Sequence, residues 1–138
     1  MAVVKAWYDP GQREPFDLAD AAQVDALLDR MLVEATAAPV GVIAELAWEG
    51  EDHRSILQFG VRTDQVGFVG YMGRGETSVI STSGATSPEP VAYDYQSHER
   101  AVPSNAEISW SVVRKAVHDY VASGGARPSA VTWRVVEG

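Results

Sequence analysis

Apolar residues recur along this chain in two different periods. Val24, Leu27, Leu28, Met31 and Leu32 fall at i, i+3, i+4, i+7 and i+8, which puts them on one face of a helix. Asp25, Asp29, Arg30 and Glu34 take the other face. Asp20 stands where an N-cap belongs, and Gln23 three residues later completes a capping box. Pro39 ends the run, so this helix stops near Ala35–Ala38. A second helical pattern covers Trp110 to Ala122, with Ser109 as its cap and Val113, Ala116, Val117, Tyr120 and Val121 as its apolar face. Arg114, Lys115, His118 and Asp119 lie elsewhere on that helix, and Gly124-Gly125 supplies a left-handed stop.

The rest reads as strands. Val3 to Tyr8 is a β-type run closed by Asp9-Pro10-Gly11, and Glu14 to Leu18 is a second short strand. Within residues 40–97 the pattern gives Val40–Glu49, a turn at Gly50-Glu51-Asp52-His53, Ser55–Val61, and a turn at Thr63-Asp64. Gln65–Met72, a Gly73-Arg74-Gly75 turn and Thr77–Ser81 follow, then a small-residue loop from Gly84 to Pro90. Val91–Ser97 closes the block, with Val91, Tyr93 and Tyr95 on one face. A last strand, Ala130–Val136, comes after Pro128. Short gaps favour hairpins, so the expected fold is α+β: a meander-like antiparallel sheet with two main helices packed on it. At 138 residues, one domain over 1–138 is the economical solution, because two cores would each be marginal.

Composition narrows the function classes. Cysteine is absent, which excludes disulfides, thiolate metal sites and a cysteine nucleophile. Nineteen acidic residues against 11 basic ones give a formal charge of −8, the wrong sign for gripping a phosphate backbone directly. Residues 1–60 hold 11 acidic and 4 basic side chains, against 8 and 7 in residues 61–138. Such an acidic half is either a solvated surface or a patch that meets a basic partner. Met1 to Tyr8 lacks the apolar run of a signal peptide, and the longest apolar stretch, Val40–Trp48, is broken by Glu45. A cytoplasmic protein with no membrane segment is therefore expected.

No catalytic pattern stands out. Gly67, Gly70, Gly73 and Gly75 have neither dinucleotide nor P-loop spacing, and they read as a bulged strand ending in a turn. His53, His98 and His118 lack the spacing of a zinc site. There is no G-x-S-x-G elbow. The expectation is no enzyme and no cofactor. Trp7, Trp48 and Trp133 sit in strand-like runs as packing residues, whereas Trp110 opens a helix in a partly exposed position. Tyr93, Tyr95, His98, Glu99 and Arg100 combine aromatic and charged groups in a strand and the loop after it. That mixture suits a protein interface, and equally a sheet with a solvated loop.

Three stretches, in this order, resemble immunity protein family 1 of bacterial polymorphic toxin systems. The first is Asp20-Ala-Ala-Gln-Val-Asp-Ala-Leu-Leu-Asp29. The second is Tyr93-Asp-Tyr-Gln-Ser-His98 followed by Ala101-Val-Pro103. The third is Glu107-Ile108, Val112-Val-Arg-Lys-Ala-Val117, Tyr120, Gly124-Gly125, Arg127-Pro128 and Val131-Thr-Trp133. Ser109 departs from the pattern, which has proline opening the helix. The resemblance implies inhibition by binding, with a cognate toxin domain, a nucleic-acid deaminase, as partner. It maps no binding residue onto the chain. On chemical grounds the candidate contacts are Glu49, Glu51 and Asp52 as an acidic turn, and Tyr95, His98, Glu99 and Arg100 as a mixed aromatic and charged contact. Two other readings stay open. One is a small ligand-binding or catalytic domain with a pocket between sheet and helices. The other is a subunit that homodimerises through a sheet edge.

Overall fold

The computed structural model of the chain describes residues 4–9, 11–37, 40–50, 54–62, 65–73, 75–84, 89–96 and 98–136. In chain order these form β1 (Val4–Trp7), β2 (Phe16–Leu18), α1 (Ala21–Ala37), β3 (Gly41–Glu49), β4 (Arg54–Arg62), β5 (Val66–Gly73) and β6 (Val79–Ser81). There follow β7 (Pro90–Tyr95), β8 (His98–Pro103), a 3-10 turn (Ser104–Ala106), β9 (Ile108–Ser109), α2 (Trp110–Ser123) and β10 (Trp133–Val135). The strands join one sheet in the order β10-β6-β5-β4-β3-β1-β2. β9 shares an edge of β5 with β6, and β7 shares an edge of β3 with β1. The architecture is α+β, as the periodicities predict. One ladder departs from a meander: β7 runs parallel to β3 through Gly41↔Tyr93 and Val42↔Asp94. After β6 the chain crosses back to β3, and β10 takes the place beside β6.

The two faces of the sheet follow from strand alternation. Ala44 and Leu46 of β3, Leu57, Phe59 and Val61 of β4, and Val69 and Tyr71 of β5 point to one side and are buried. Against them pack Val24, Leu27, Leu28 and Met31 of α1 and Val113, Ala116, Val117 and Tyr120 of α2. Burial of side chains of this size contributes about 1.5–3 kcal/mol each. The helix ends are tied down. The Gln23 amide donates to Asp20 Oδ1 at 2.9 Å, and Gln23 Oε1 accepts from the Ala19 amide at 2.7 Å. The capping box thus forms, reaching one residue further back than its usual form. Gly124 caps α2 at φ 73°. A Cβ on Gly125 would lie 2.6 Å from Trp48. The Gly125 carbonyl accepts from Ser55 Oγ (2.7 Å) and the Tyr71 hydroxyl (3.0 Å), and the Tyr120 hydroxyl donates to the Ser55 carbonyl (3.1 Å). Burial pushes the Tyr120 hydroxyl up to about 12. Between the helices, Arg114 donates to Asp25 and Asp29, and His118 Nε2 lies 2.8 Å from Asp25.

The hairpin of β7 and β8 roofs part of the opposite face. Ile43, Phe68, Tyr93, Val102 and Ala106 form a second buried cluster there. The Tyr93 ring meets Phe68 edge-on at 5.1 Å between centroids. It lies over two glycines: a Cβ on Gly41 would come within 2.6 Å of the ring, and one on Gly60 within 2.8 Å of Phe68 and 3.0 Å of Tyr93. The Tyr93 hydroxyl donates to Glu107 Oε2 at 2.7 Å, and Arg62 donates to both carboxylate oxygens at 2.5 and 2.8 Å. Burial alone would raise the Glu107 carboxyl. The bonds from Arg62 and Tyr93 outweigh it, and the carboxyl titrates below its usual range.

Three local expectations change. Residues 98–103 form β8 rather than a loop; the charged run His98-Glu99-Arg100 masks a strand whose Val102 is buried. Trp110 is buried, not partly exposed, while Trp7, Trp48 and Trp133 are each only half-buried. Ser109 occupies the cap position, but its hydroxyl bonds to that of Ser111 at 3.1 Å and caps no backbone amide of the helix. Both of the last two follow from β9, which pins the start of α2 to the sheet. The Trp110 amide donates to the Gln65 carbonyl at 2.9 Å, so a helix-start donor finds its acceptor in the turn residue that leads into β5. The turns read at Glu51–His53 and Thr63-Asp64 lie outside the described residues.

Two stability predictions follow from the second cluster. Gly60→Ala forces a methyl group into the Tyr93–Phe68 contact and is expected to cost about 1–3 kcal/mol, read as a lower urea midpoint at unchanged slope. Glu107 contributes stability that is present above its unfolded pKa, about 4.3, and is lost as pH falls through its lower folded value. Glu107→Gln is expected to cost about 1–3 kcal/mol at pH 7 and to flatten the acid limb of a stability-versus-pH curve. An unchanged acid limb would assign it to other carboxylates.

Candidate functional site

The helices cover one face of the sheet and the hairpin covers only part of the other. Residues pointing to that second side from the uncovered part are Glu45, Ala47 and Glu49 of β3, Ile56 and Gln58 of β4, and Gly70 and Met72 of β5, by strand alternation and cross-strand register. A groove of about 420 Å³ runs here, bounded by Glu45, Ile56, Gln58, Met72, Ile80 and Arg100. A shallower depression beyond it is lined by Ala47, Glu49, Arg54, Ile56 and Met72, so the two share Ile56 and Met72 and form one continuous surface.

The sequence-derived candidates divide over this surface. In the β7–β8 ladder Tyr95 stands opposite His98, Asp94 opposite Glu99 and Tyr93 opposite Arg100. Directly opposed residues share a side. Tyr95, His98 and Arg100 therefore turn the same way as the buried Tyr93, toward the sheet, while Glu99 points away beside Asp94. The Arg100 guanidinium lies 5.6 Å from the Tyr95 ring centroid, within cation–π range. Burial raises the Tyr95 hydroxyl above the ordinary tyrosine range; the Glu45 charge adds to this and Arg100 opposes it. Glu49 is exposed at the end of β3, opposite Arg54 in register. Glu51 and Asp52 lie outside the described residues. The structure thus places Tyr95 and Arg100 at one end of a continuous face and Glu49 at the other, with Glu45 between them.

Glu45, Ile56, Gln58, Met72 and Ile80 are absent from the sequence-derived set. A signal for two of them exists. Ile56 and Met72 alternate out of phase with the buried Leu57, Phe59 and Tyr71, so they are apolar residues at outward positions. Reading strands as apolar runs, without assigning faces, passes over this.

A second groove of about 620 Å³ lies between the start of α1 and the end of α2, lined by Asp20, Val24, Trp48, His118 and Asp119 among others. Its histidine bridges the helices through Asp25. Among the described residues no group of three His, Asp or Glu side chains is placed to hold a metal ion, and no helix is long and apolar enough to cross a membrane.

Among curated proteins no match to the chain is found. The family model described as Immunity protein Imm1 matches residues 12–135, from the turn after β1 to the last strand and across both helices and the roofing hairpin. The chain belongs to the Imm1 family of immunity proteins.

Proposed function

We propose that the protein binds a cognate bacterial toxin, a nucleic-acid deaminase, and neutralises it by covering the surface through which the toxin takes its substrate. The family match over residues 12–135 carries this reading. The charge supports it. A deaminase acting on nucleic acid needs a basic channel for phosphates and a pocket for the flipped base. A partner with net charge −8 is steered to such a channel and competes with the substrate for it. Inhibition of this kind needs no reacting group on the inhibitor, only complementary surface. In this reading the acidic run Glu49, Glu51 and Asp52 meets the basic channel, and Tyr95, His98 and Arg100 supply a mixed contact at the other end of the face, from which Glu99 points away. Cytoplasmic residence belongs to the same proposal, because a toxin must be met where its nucleic-acid target lies.

Co-expression with the toxin domain encoded by the neighbouring gene is expected to restore growth and to give a complex that survives pull-down, with its stoichiometry read by light scattering. An active toxin with neither rescue nor complex would overturn the reading. The double variant Glu51→Lys, Asp52→Lys is expected to weaken the complex about tenfold and to flatten its dependence on salt. Unchanged affinity with unchanged salt dependence would remove that turn from the contact.

A further inference from the structure

We infer that the uncovered groove on the outer face of the sheet, between Glu45 and the β7–β8 hairpin, is the docking site for the toxin, and that it takes an aliphatic or aromatic toxin side chain flanked by a lysine or arginine that pairs with Glu45. This rests on the toxin-binding reading and adds where and how the partner is held.

The first ground is composition by face. A sheet face that meets water carries polar residues at its outward positions. Here Ala47, Ile56, Gly70 and Met72 stand outward on three adjacent strands. Met72 is 51% exposed, and Val136 at the groove margin is 44% exposed. A continuous apolar strip rimmed by Glu45, Glu49, Gln58 and Arg100 has the layout of a protein interface, with an apolar centre and a polar rim.

The second ground is charge. Glu45 is half-buried, and its cross-strand neighbours are Trp7 and Gln58, both uncharged. Among the described residues neither Glu45 nor Glu49 makes an ion pair, although Arg54 stands opposite Glu49 in register. Most other carboxylates in the acidic half are engaged. Asp17 pairs with Lys5, Asp9 and Glu34 with Arg30, and Asp25 and Asp29 with Arg114. The two carboxylates on the apolar strip thus have no ion-pair partner among the described residues, although Arg100 and Arg54 line the same surface, and are open to a cation from outside. A charge beside apolar groups gains most from a partner that arrives with its own desolvated counter-charge. A second copy of this chain, itself at −8, fits that requirement poorly. A toxin surface built to hold phosphates fits it well.

The third ground is shape. A groove of about 420 Å³ has room for a large side chain at the centre of an interface, where anchoring residues concentrate binding energy. The Arg100 guanidinium over Tyr95 forms one wall and presents a cation to any carboxylate beside the anchor.

The test uses the full chain and the catalytically inactivated toxin domain, with affinity measured by calorimetry. Met72→Glu and Glu45→Arg are each expected to raise Kd at least about tenfold, with circular dichroism and Tm near those of the unaltered chain. Val33→Glu, on an exposed position of α1 behind the opposite face (69% exposed), is expected to leave Kd unchanged. Hydroxyl-radical footprinting of the unaltered complex reads the same surface without substitution: Met72 should be protected from oxidation when the toxin is bound. If the unaltered chain binds toxin, but folded Met72→Glu and Glu45→Arg bind equally well and Met72 stays reactive in the complex, this docking site is wrong and toxin binding stands. If the unaltered chain does not bind an otherwise active toxin, the functional reading fails and takes the docking site with it.

Discussion

The seating of Tyr93 on Gly41 and Gly60 decides how the outer half of the molecule is built. A side chain at either glycine would occupy the space of the ring. With both Cβ atoms missing, the ring packs closely on the sheet, and its hydroxyl reaches the Glu107–Arg62 pair. That one contact draws β7 against the start of β3 in the single parallel ladder of the described residues. It also holds Glu107, the residue just before β9, and β9 sets the start of α2. The hairpin, the entry to the second helix and the boundary between covered and uncovered sheet therefore share one anchor.

The inner core is more ordinary and does a different job. Two amphipathic helices bury their stripes on three long antiparallel strands. The carbonyl of Gly125 collects hydroxyls from Ser55 and Tyr71, so the end of α2 is bonded to β4 and β5 as well as packed on them. Buried hydroxyls are costly when unpaired and specify geometry when paired. A rigid inner layer lets the outer face act as a fixed template, and a preformed surface loses little entropy when a partner lands on it. That is the useful property for an inhibitor, whose work is to remain bound.

The acidity of the chain is concentrated in its first half, and within that half it is not uniform in effect. Carboxylates on α1 and at the end of β1 are matched by Arg30 and Arg114 within the fold. Those on the outward side of β3 are not matched within the described residues. The difference is one of pairing and not of net charge, because Arg30 and Arg114 each face two carboxylates, while Arg54 and Arg100 stand on the strip with Glu49 and Glu45.

Much of the fold was legible in the sequence. The stripe from Val24 to Leu32, the cap at Asp20, the glycine stop after α2 and the three central strands are local patterns, set by residues a few positions apart. The resemblance carried by Asp20–Asp29, Tyr93–His98 and Glu107–Trp133 led to the Imm1 family, because order and spacing survive in one dimension. The burial of Trp110, the strand at His98–Pro103 and the parallel contact of β7 were not legible. Two of these depend on a partner far along the chain, Gln65 for Trp110 and Gly41 for Tyr93; the third, β8, pairs with its hairpin neighbour β7 and was hidden by its charged run. The candidate surface divides in the same way. Sequence pointed to Tyr95, Arg100 and Glu49 by their chemistry. Only the tertiary structure put them on one face, turned Glu99 away from it, and added Glu45, Ile56 and Met72 as its floor. Which side of a strand meets water depends on what packs against it, and among the described residues the hairpin covers only part of this face.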